Sequence, residues 1–267
     1  MDDFGRLLAA IEESLGIRCG QYKEDYIKRR LFSRMNATDK KDYADYHAYL
    51  RSNPDERERL KNALTINVTK FFRDPEVFEA VKRDLLPSIL KKKSRIRIWS
   101  AGCSSGEEPY SYAIILSELS FFNKDMNALV IATDIDREIL KRAAEGIYER
   151  PALENLSESQ VRRHFTKRPD GKFEVKPAVR ERVRFQSHDL MGGVPASRGL
   201  DIISCRNVTI YFTDEQKNDL NRMFHGALAP GGYYIIGMSE FLGKEIAHLF
   251  KPYRPREKIF VKDPAAG

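Results

Sequence analysis

The residues best placed to do chemistry lie in Ser100-Ala101-Gly102-Cys103-Ser104-Ser105-Gly106-Glu107-Glu108. Small residues that lead out of a strand and into a helix let backbone N–H groups approach a ligand at the carboxyl edge of a sheet. The stretch lacks the Gly-Lys-Ser/Thr of a triphosphate loop and does not match Gly-x-Gly-x-x-Gly, which argues against a nucleoside triphosphate or NAD. Glu107 and Glu108 open the following helix. Carboxylates there repel a phosphate but suit a ligand bearing an amine, although either one alone would also complement the helix dipole. Asp134 follows the next strand, where nucleoside sites place an acid on the ribose hydroxyls. Asp136 is the better cap for the helix after it. A small-residue loop, an acid after the second strand and no phosphate-binding cation point to S-adenosylmethionine, a nucleoside that carries an amino acid in place of phosphates.

Other chemistries find little support. His47, His164, His188, His225 and His248 show no metal-ligand spacing, so no metal is expected. Cys19, Cys103 and Cys205 form no Cys-x-x-Cys pair, which argues against a disulfide framework and a structural zinc site and suits a reducing compartment. With 42% hydrophobic and 32% charged residues in 267, the chain can bury a core and is neither a disordered tail nor a fibre. Lys and Arg exceed Asp and Glu by seven, 46 against 39, which favours an acidic partner. No apolar run approaches the roughly 20 residues of a membrane span, and Met1-Asp2-Asp3-Phe4 is unlike a signal peptide. A cytoplasmic protein with no direct membrane insertion is expected.

The elements that must position these residues fall into two regimes. Apolar residues recur at helical spacing in Phe4–Leu15, ending at Gly16, and in Tyr22–Met35, Tyr43–Leu50 and Asp55–Leu64. Asp74-Pro75 then predicts a helix with Asp74 as its cap and Pro75 in the first position. After Lys91-Lys92-Lys93 the period changes. Strands are predicted at Arg95–Trp99, Leu129–Thr133, Val183–Gln186, Asp201–Cys205 and Gly232–Gly237, with helices at Glu107–Leu119 and Arg137–Glu145. Such alternation predicts a mainly parallel sheet covered on both faces. Lys258–Val261 has no helix after it and is expected to return as an antiparallel edge strand. Between about 147 and 182, a capped helix from Leu156-Ser157 and an Asp170-Gly171 hairpin signal predict a small insertion on the sheet.

Four motifs occur in order: Thr65-x-Asn67-x-Thr69-x-Phe71-Phe72-Arg73-Asp74, Ala101–Ser111, Ala132-Thr133-Asp134-Ile135-Asp136 and Cys205-Arg206-Asn207-Val208-Thr209-Ile210-Tyr211-Phe212. Together they resemble the CheR family, the S-adenosylmethionine-dependent chemoreceptor glutamate O-methyltransferases, over nearly the whole chain. The resemblance implies an α/β protein: an all-α helical docking domain over 1–75, then a Rossmann-like methyltransferase domain over 76–267 with an inserted antiparallel β subdomain. It implies that Asn67, Thr69 and Arg73 reach the cofactor. Glu107 or Glu108 would meet its amine, Gly102 the loop side and Asp134 the ribose. Asp189 and Leu190 would flank the adenine, and Arg206 and Asn207 would line the pocket. Tyr211, with Arg73, would act at the methyl-transfer site, and S-adenosylhomocysteine would be the product. Aromatics after a strand, such as Tyr211 and Phe212, also commonly serve packing alone.

A glutamate side chain is already ionised at neutral pH, so its methylation needs no general base. No His–Asp or Cys–His pairing stands out in the sequence, in keeping with this. Between Arg18 and Asn36 six basic residues face two acidic ones, a local net of +4. Arg30 and Arg34 share a helix face with Arg29 beside it, a candidate dock for the acidic methylation helices of chemoreceptors. A solvated basic face is the alternative. Thr166–Lys172 is short for the loop with which some relatives hold a receptor's C-terminal pentapeptide, so no such tether is expected. Met238 stands where the family often has His. A monomer recruited to receptor arrays by protein contacts is expected. The competing readings are a sensor that binds the cofactor without transferring its methyl, and a nucleic-acid methyltransferase. Cys205-Arg206-Asn207-Val208 stands where base-methylating enzymes place Asn/Asp-Pro-Pro-Tyr, so no nucleic-acid partner is expected.

Overall fold

The computed structural model describes residues 2–64 and 69–263. The chain divides into two compact units, Met1–Asn67 with Tyr211–Gln216, and Val68–Ile210 with Lys217–Gly267. The first unit holds α1 (Asp3–Leu15), α2 (Glu24–Ala37), α3 (Tyr43–Ser52) and α4 (Pro54–Leu64). Asp2 caps α1 by accepting from Gly5 N at 2.8 Å, and Gly16 closes it with a φ of 70° that favours glycine. Leu7 and Ile11 of α1 meet Ile27 and Leu31 of α2, Leu50 of α3 and Leu60 of α4 in one apolar core.

A polar staple crosses that core. Arg34 of α2 donates to both oxygens of Glu56 in α4, at 2.9 and 2.6 Å, and Tyr46 Oη of α3 donates to the same carboxylate at 2.8 Å. Glu56 is buried, and these partners offset the desolvation of its charge. The unit is completed from far along the chain. Tyr22 and Phe212 form an antiparallel bridge, Lys23 N donates to Tyr211 O at 2.9 Å, and the Tyr211 ring lies 4.4 Å from that of Tyr26.

The second unit begins with α5 (Pro75–Ala80), a π-helical turn (Val81–Leu85) and α6 (Leu86–Leu90). Then follow β1 (Arg95–Ala101), α7 (Glu107–Ser120), β2 (Asn127–Asp134) and α8 (Arg137–Glu145). The insertion comprises β3 (Ile147–Tyr148), α9 (Glu158–His164), β4 (Phe165–Lys167), β5 (Phe173–Val175) and α10 (Pro177–Arg180). The chain closes with β6 (Val183–Ser187), β7 (Leu200–Cys205), α11 (Asp214–Ala227), β8 (Leu228–Ile236), β9 (Phe250–Arg254) and β10 (Ile259–Lys262).

Seven strands form one sheet in the order β6-β2-β1-β7-β8-β10-β9, parallel from β6 to β8. Strand order runs outward from β1 through β2 to β6, then jumps back to β7 on the other side. That reversal opens a crevice at the carboxyl ends of β1 and β7. All of β7 is buried, as expected of a parallel strand covered on both faces. The closing strand β10 is antiparallel, as expected, but it is not the edge. β9 pairs outside it. Phe250-Lys251-Pro252-Tyr253-Arg254 reads poorly as a strand because of its proline and charges, features that suit an edge.

The insertion is a three-stranded antiparallel sheet, β3-β5-β4, whose hairpin turns at Gly171 with φ 84°. Ser157 and Gln160 form the capping box that starts α9. Glu118 ties the insertion and the π-helical turn to α7, meeting His164 Nε2 at 3.3 Å and Lys82 Nζ at 2.8 Å. The His164 bond and the Lys82 charge hold its carboxyl down at about 2.

Candidate active site

The loop after β1 needs its glycines. Gly102 has φ +77° and a Cβ there would fall 2.5 Å from a Val208 methyl; Gly106 has φ +96° and its Cβ would meet Tyr148 Oη at 2.9 Å. Any larger residue would be strained and crowded at once. The N–H groups of Gly102 and Cys103 both donate to Thr133 O at 2.8 Å, which ties the loop to the end of β2. Asp134 secures it from the same place. One oxygen accepts from Ser104 N at 2.8 Å and the other from Asp136 N at 3.0 Å. Burial raises its carboxyl above the usual carboxylate range. The cap of α8 is Asp136, which accepts from Glu138 N at 3.0 Å. Asp134 therefore keeps lone pairs for a hydroxyl donor.

The two glutamates at the start of α7 differ. Glu108 accepts from Ser100 Oγ at 2.8 Å and faces Arg206 Nη1 at 3.4 Å, so its charge is balanced within the protein. Glu107 is 5% exposed and its carboxylate accepts from Ser105 Oγ at 2.6 Å. Burial outweighs that bond and pushes its carboxyl up to about 7. A cation placed beside Glu107 would restore its ionised form.

Arg206, at the carboxyl end of β7, is 7% exposed and organises the neighbouring turn. Its Nη2 donates to Asp74 Oδ2 at 2.6 Å and to Arg73 O at 2.8 Å, and its guanidinium lies 5.4 Å from the Phe78 ring centre. Asp74 thus departs from the expectation that it caps α5. It precedes the helix in a left-handed conformation, φ 56°, with no side-chain cap bond, because its carboxylate turns to Arg206. Phe72, also left-handed at φ 50°, donates its N–H to Ser111 Oγ at 2.9 Å. Phe71 packs edge-on against Tyr148 and Phe165. The Phe71–Asp74 turn, which carries Arg73, is consequently pinned to α7, to β7 and to the insertion.

Asn207 follows with φ 62°, and the residue that holds it there is Glu240. One Glu240 oxygen accepts from Asn207 N at 2.8 Å and Gly237 N at 2.6 Å; the other accepts from Thr209 N at 2.8 Å and Thr209 Oγ1 at 2.7 Å. A Cβ on Gly237 would sit 2.6 Å from that carboxylate and 2.9 Å from Asn207 Nδ2. Glu240 is not among the site residues that the sequence marks.

The remaining site candidates are dispersed. Asp189 closes a short turn by accepting from Met191 N at 2.9 Å, and Leu190 begins that turn. It directly follows His188, whose N–H donates to Asp134 O at 2.9 Å. Thr69 and Arg73 are half-buried, and Asn67 lies outside the described residues. Tyr211 belongs to the helical unit, its ring tilted against that of Tyr26. Of the basic trio on α2, Arg29 is exposed, Arg30 lies 5.4 Å from the Tyr26 ring centre and Arg34 is committed to Glu56. No cluster of three or more metal-ligating side chains occurs among the described residues.

Gly102, Glu107, Asp134 and Asn207 thus converge on the carboxyl edge at the strand-order reversal, in a setting rich in carboxylates and close backbone. That fits an amine and ribose hydroxyls, and it does not fit phosphates.

Comparison with known proteins agrees. The family model "CheR methyltransferase, SAM binding domain" matches residues 67–258, and "CheR methyltransferase, all-alpha domain" matches residues 2–65. The chain belongs to the CheR methyltransferase family. S-adenosylmethionine is its cofactor. A chemotaxis protein methyltransferase of Pseudomonas putida, Cher2, is 34% identical over 248 residues, covering 90% of each chain. Chemotaxis protein methyltransferase 2 of Vibrio cholerae is 33% identical over 271 residues, covering 99% of this chain and 94% of its own. Chemotaxis protein methyltransferase 1 of Pseudomonas aeruginosa is 35% identical over 247 residues, covering 90% of each.

Proposed function

We infer that this CheR methyltransferase is a protein-glutamate O-methyltransferase that esterifies glutamate γ-carboxylates on the cytoplasmic methylation helices of chemoreceptors, leaving S-adenosylhomocysteine. The observation that carries this is the match to chemotaxis protein methyltransferases along nine-tenths or more of each chain. Residues 1–75 would dock the substrate and 76–267 transfer the methyl group.

S-adenosylmethionine supplies a methyl already activated by its sulfonium, so the protein's work is holding and aligning. Glu107 is the carboxylate for the methionyl amine, since Glu108 is neutralised by Arg206. Asp134 takes the ribose hydroxyls, and Gly102 gives the backbone room to approach. Asp189 and Leu190 border the adenine, and Thr69 and Asn207 complete the pocket. Arg206 acts here by holding the turn of Arg73.

The incoming glutamate attacks as a carboxylate, and no proton need be removed. Arg73 and Tyr211 orient that carboxylate by charge and hydrogen bonding. Charge disappears as carboxylate and sulfonium neutralise each other, so a site closed to water favours the step. Tyr211→Phe and Arg73→Ala are each expected to lower kcat by tenfold or more with cofactor binding retained. Normal turnover in both variants would remove these residues from the mechanism.

A further inference from the structure

The amino edge of the sheet, opposite the cofactor crevice, carries a second feature. Between α7 and β2 the chain makes a short turn at whose head Phe121 is 69% and Phe122 90% exposed. These are adjacent aromatics on a built turn. Phe122 N donates to Leu119 O at 3.1 Å, Asn123 Nδ2 donates to the same oxygen at 2.9 Å, and Met126 N donates to Asn123 O at 3.0 Å. Met126 is buried and anchors the end of the turn. The two rings are thus held outward by a fixed backbone.

Cations lie in this turn and in the one beside it. Asn127 N donates to Ser94 O at 3.0 Å, and Arg95 is in register with Asn127, so the Lys91–Ser94 turn enters the sheet beside the phenylalanine turn. Lys91, Lys92, Arg95 and Lys124 are exposed and have no ion-pair partner among the described residues. Lys93 is committed to Asp201 at 2.5 Å. Asp125 is the one acidic residue in the two turns.

We propose that this edge is a peripheral docking surface for anionic phospholipid bilayers, with Phe121 and Phe122 entering the headgroup–acyl boundary and Lys91, Lys92, Arg95 and Lys124 meeting the lipid phosphates. Two adjacent rings that project from a turn ask for a fluid apolar phase and need no matching pocket. Cations beside them supply the charge complement that selects an anionic lipid surface. β1 is seven residues long, which places the glycine loop about 20 Å from this edge. A lipid-bound catalytic unit would keep its cofactor crevice toward water. The sequence gives the contrary expectation, no direct membrane insertion, because two aromatics in a turn leave no trace in a scan for spans. No helix among the described residues is long and apolar enough to cross a membrane, and interfacial docking requires none.

The test is co-sedimentation of the full-length protein with vesicles of phosphatidylcholine alone and of phosphatidylcholine with phosphatidylglycerol. Binding to the anionic vesicles only, weakened by salt, is expected. Phe121→Ser/Phe122→Ser and Lys91→Glu/Lys92→Glu/Lys124→Glu should each weaken it tenfold or more while S-adenosylmethionine binding is unchanged. Three results would overturn the proposal: no binding to anionic vesicles, equal binding to neutral ones, or binding that survives both sets of substitutions and so arises from basic residues elsewhere. Loss of capture of an acidic receptor fragment in the phenylalanine variant, without vesicle binding by the native protein, would assign the surface to a protein instead.

Discussion

Glu107 and Glu108 are neighbours with opposite electrostatic surroundings. Arg206 balances Glu108, while burial drives the Glu107 carboxyl from 4.5 to about 7. In the folded protein Glu107 holds its proton more tightly than in the unfolded chain. The stability linked to it is full below pH 4.5 and is lost as pH rises through about 7. Glu107→Gln should therefore raise the unfolding free energy at about pH 8 more than at about pH 5, by a difference on the order of 3 kcal/mol. A cofactor ammonium favours the ionised form. Native affinity for S-adenosylmethionine should fall several-fold from about pH 8 to about pH 6, and the Gln variant should bind weakly with no such slope. Calorimetric titration at the two pH values measures both. Glycines and acids at the ends of strands were readable in the sequence because spacing alone reports them. Which glutamate was free was not, because the cation that decides it, Arg206, stands far along the chain.

At the scale of elements, the same distance hides two organisers. Asp74 before Pro75 has every local mark of a helix cap, yet its carboxylate is claimed by Arg206, 132 residues away, and the turn adopts a left-handed conformation to deliver it. Glu240 collects four donors and fixes the turn of Asn207 and Thr209, an arrangement without periodicity or a local signature. In Glu240→Gln the amide nitrogen would point its hydrogens at two donors. The substitution should cost on the order of 1–3 kcal/mol in stability. It should also raise KM for S-adenosylmethionine at least tenfold, beyond what an equally destabilising core change such as Ile98→Val produces. Urea denaturation with initial-rate kinetics separates the two effects. The helices and the parallel sheet were legible because burial imposes their periods. β9 was not, since an edge strand need bury little and tolerates Pro252.

The excess of seven positive charges is a property of the whole molecule, and its distribution is uneven. Part of it is structural. Arg34, which the sequence places on the docking face, locks α2 to α4 through Glu56, so reversing its charge tests folding as much as docking. Arg29 and Arg30 are the cleaner probe. Arg29→Glu/Arg30→Glu should lower kcat/KM for a receptor fragment tenfold or more and leave S-adenosylmethionine affinity unchanged, and an unaltered kcat/KM would release α2 from substrate recognition. Tyr211 shows what the whole fold adds. The sequence places it within the last of the four motifs, and the structure returns its segment to the helical unit, against Tyr26. Acceptance of the methyl group by a glutamate carboxylate is measured by incubating the protein with methyl-labelled S-adenosylmethionine and chemoreceptor cytoplasmic fragments, then adding alkali. Glutamate esterification predicts label on the receptor that alkali releases as volatile methanol. Label that survives alkali, or no label on the receptor, would contradict it.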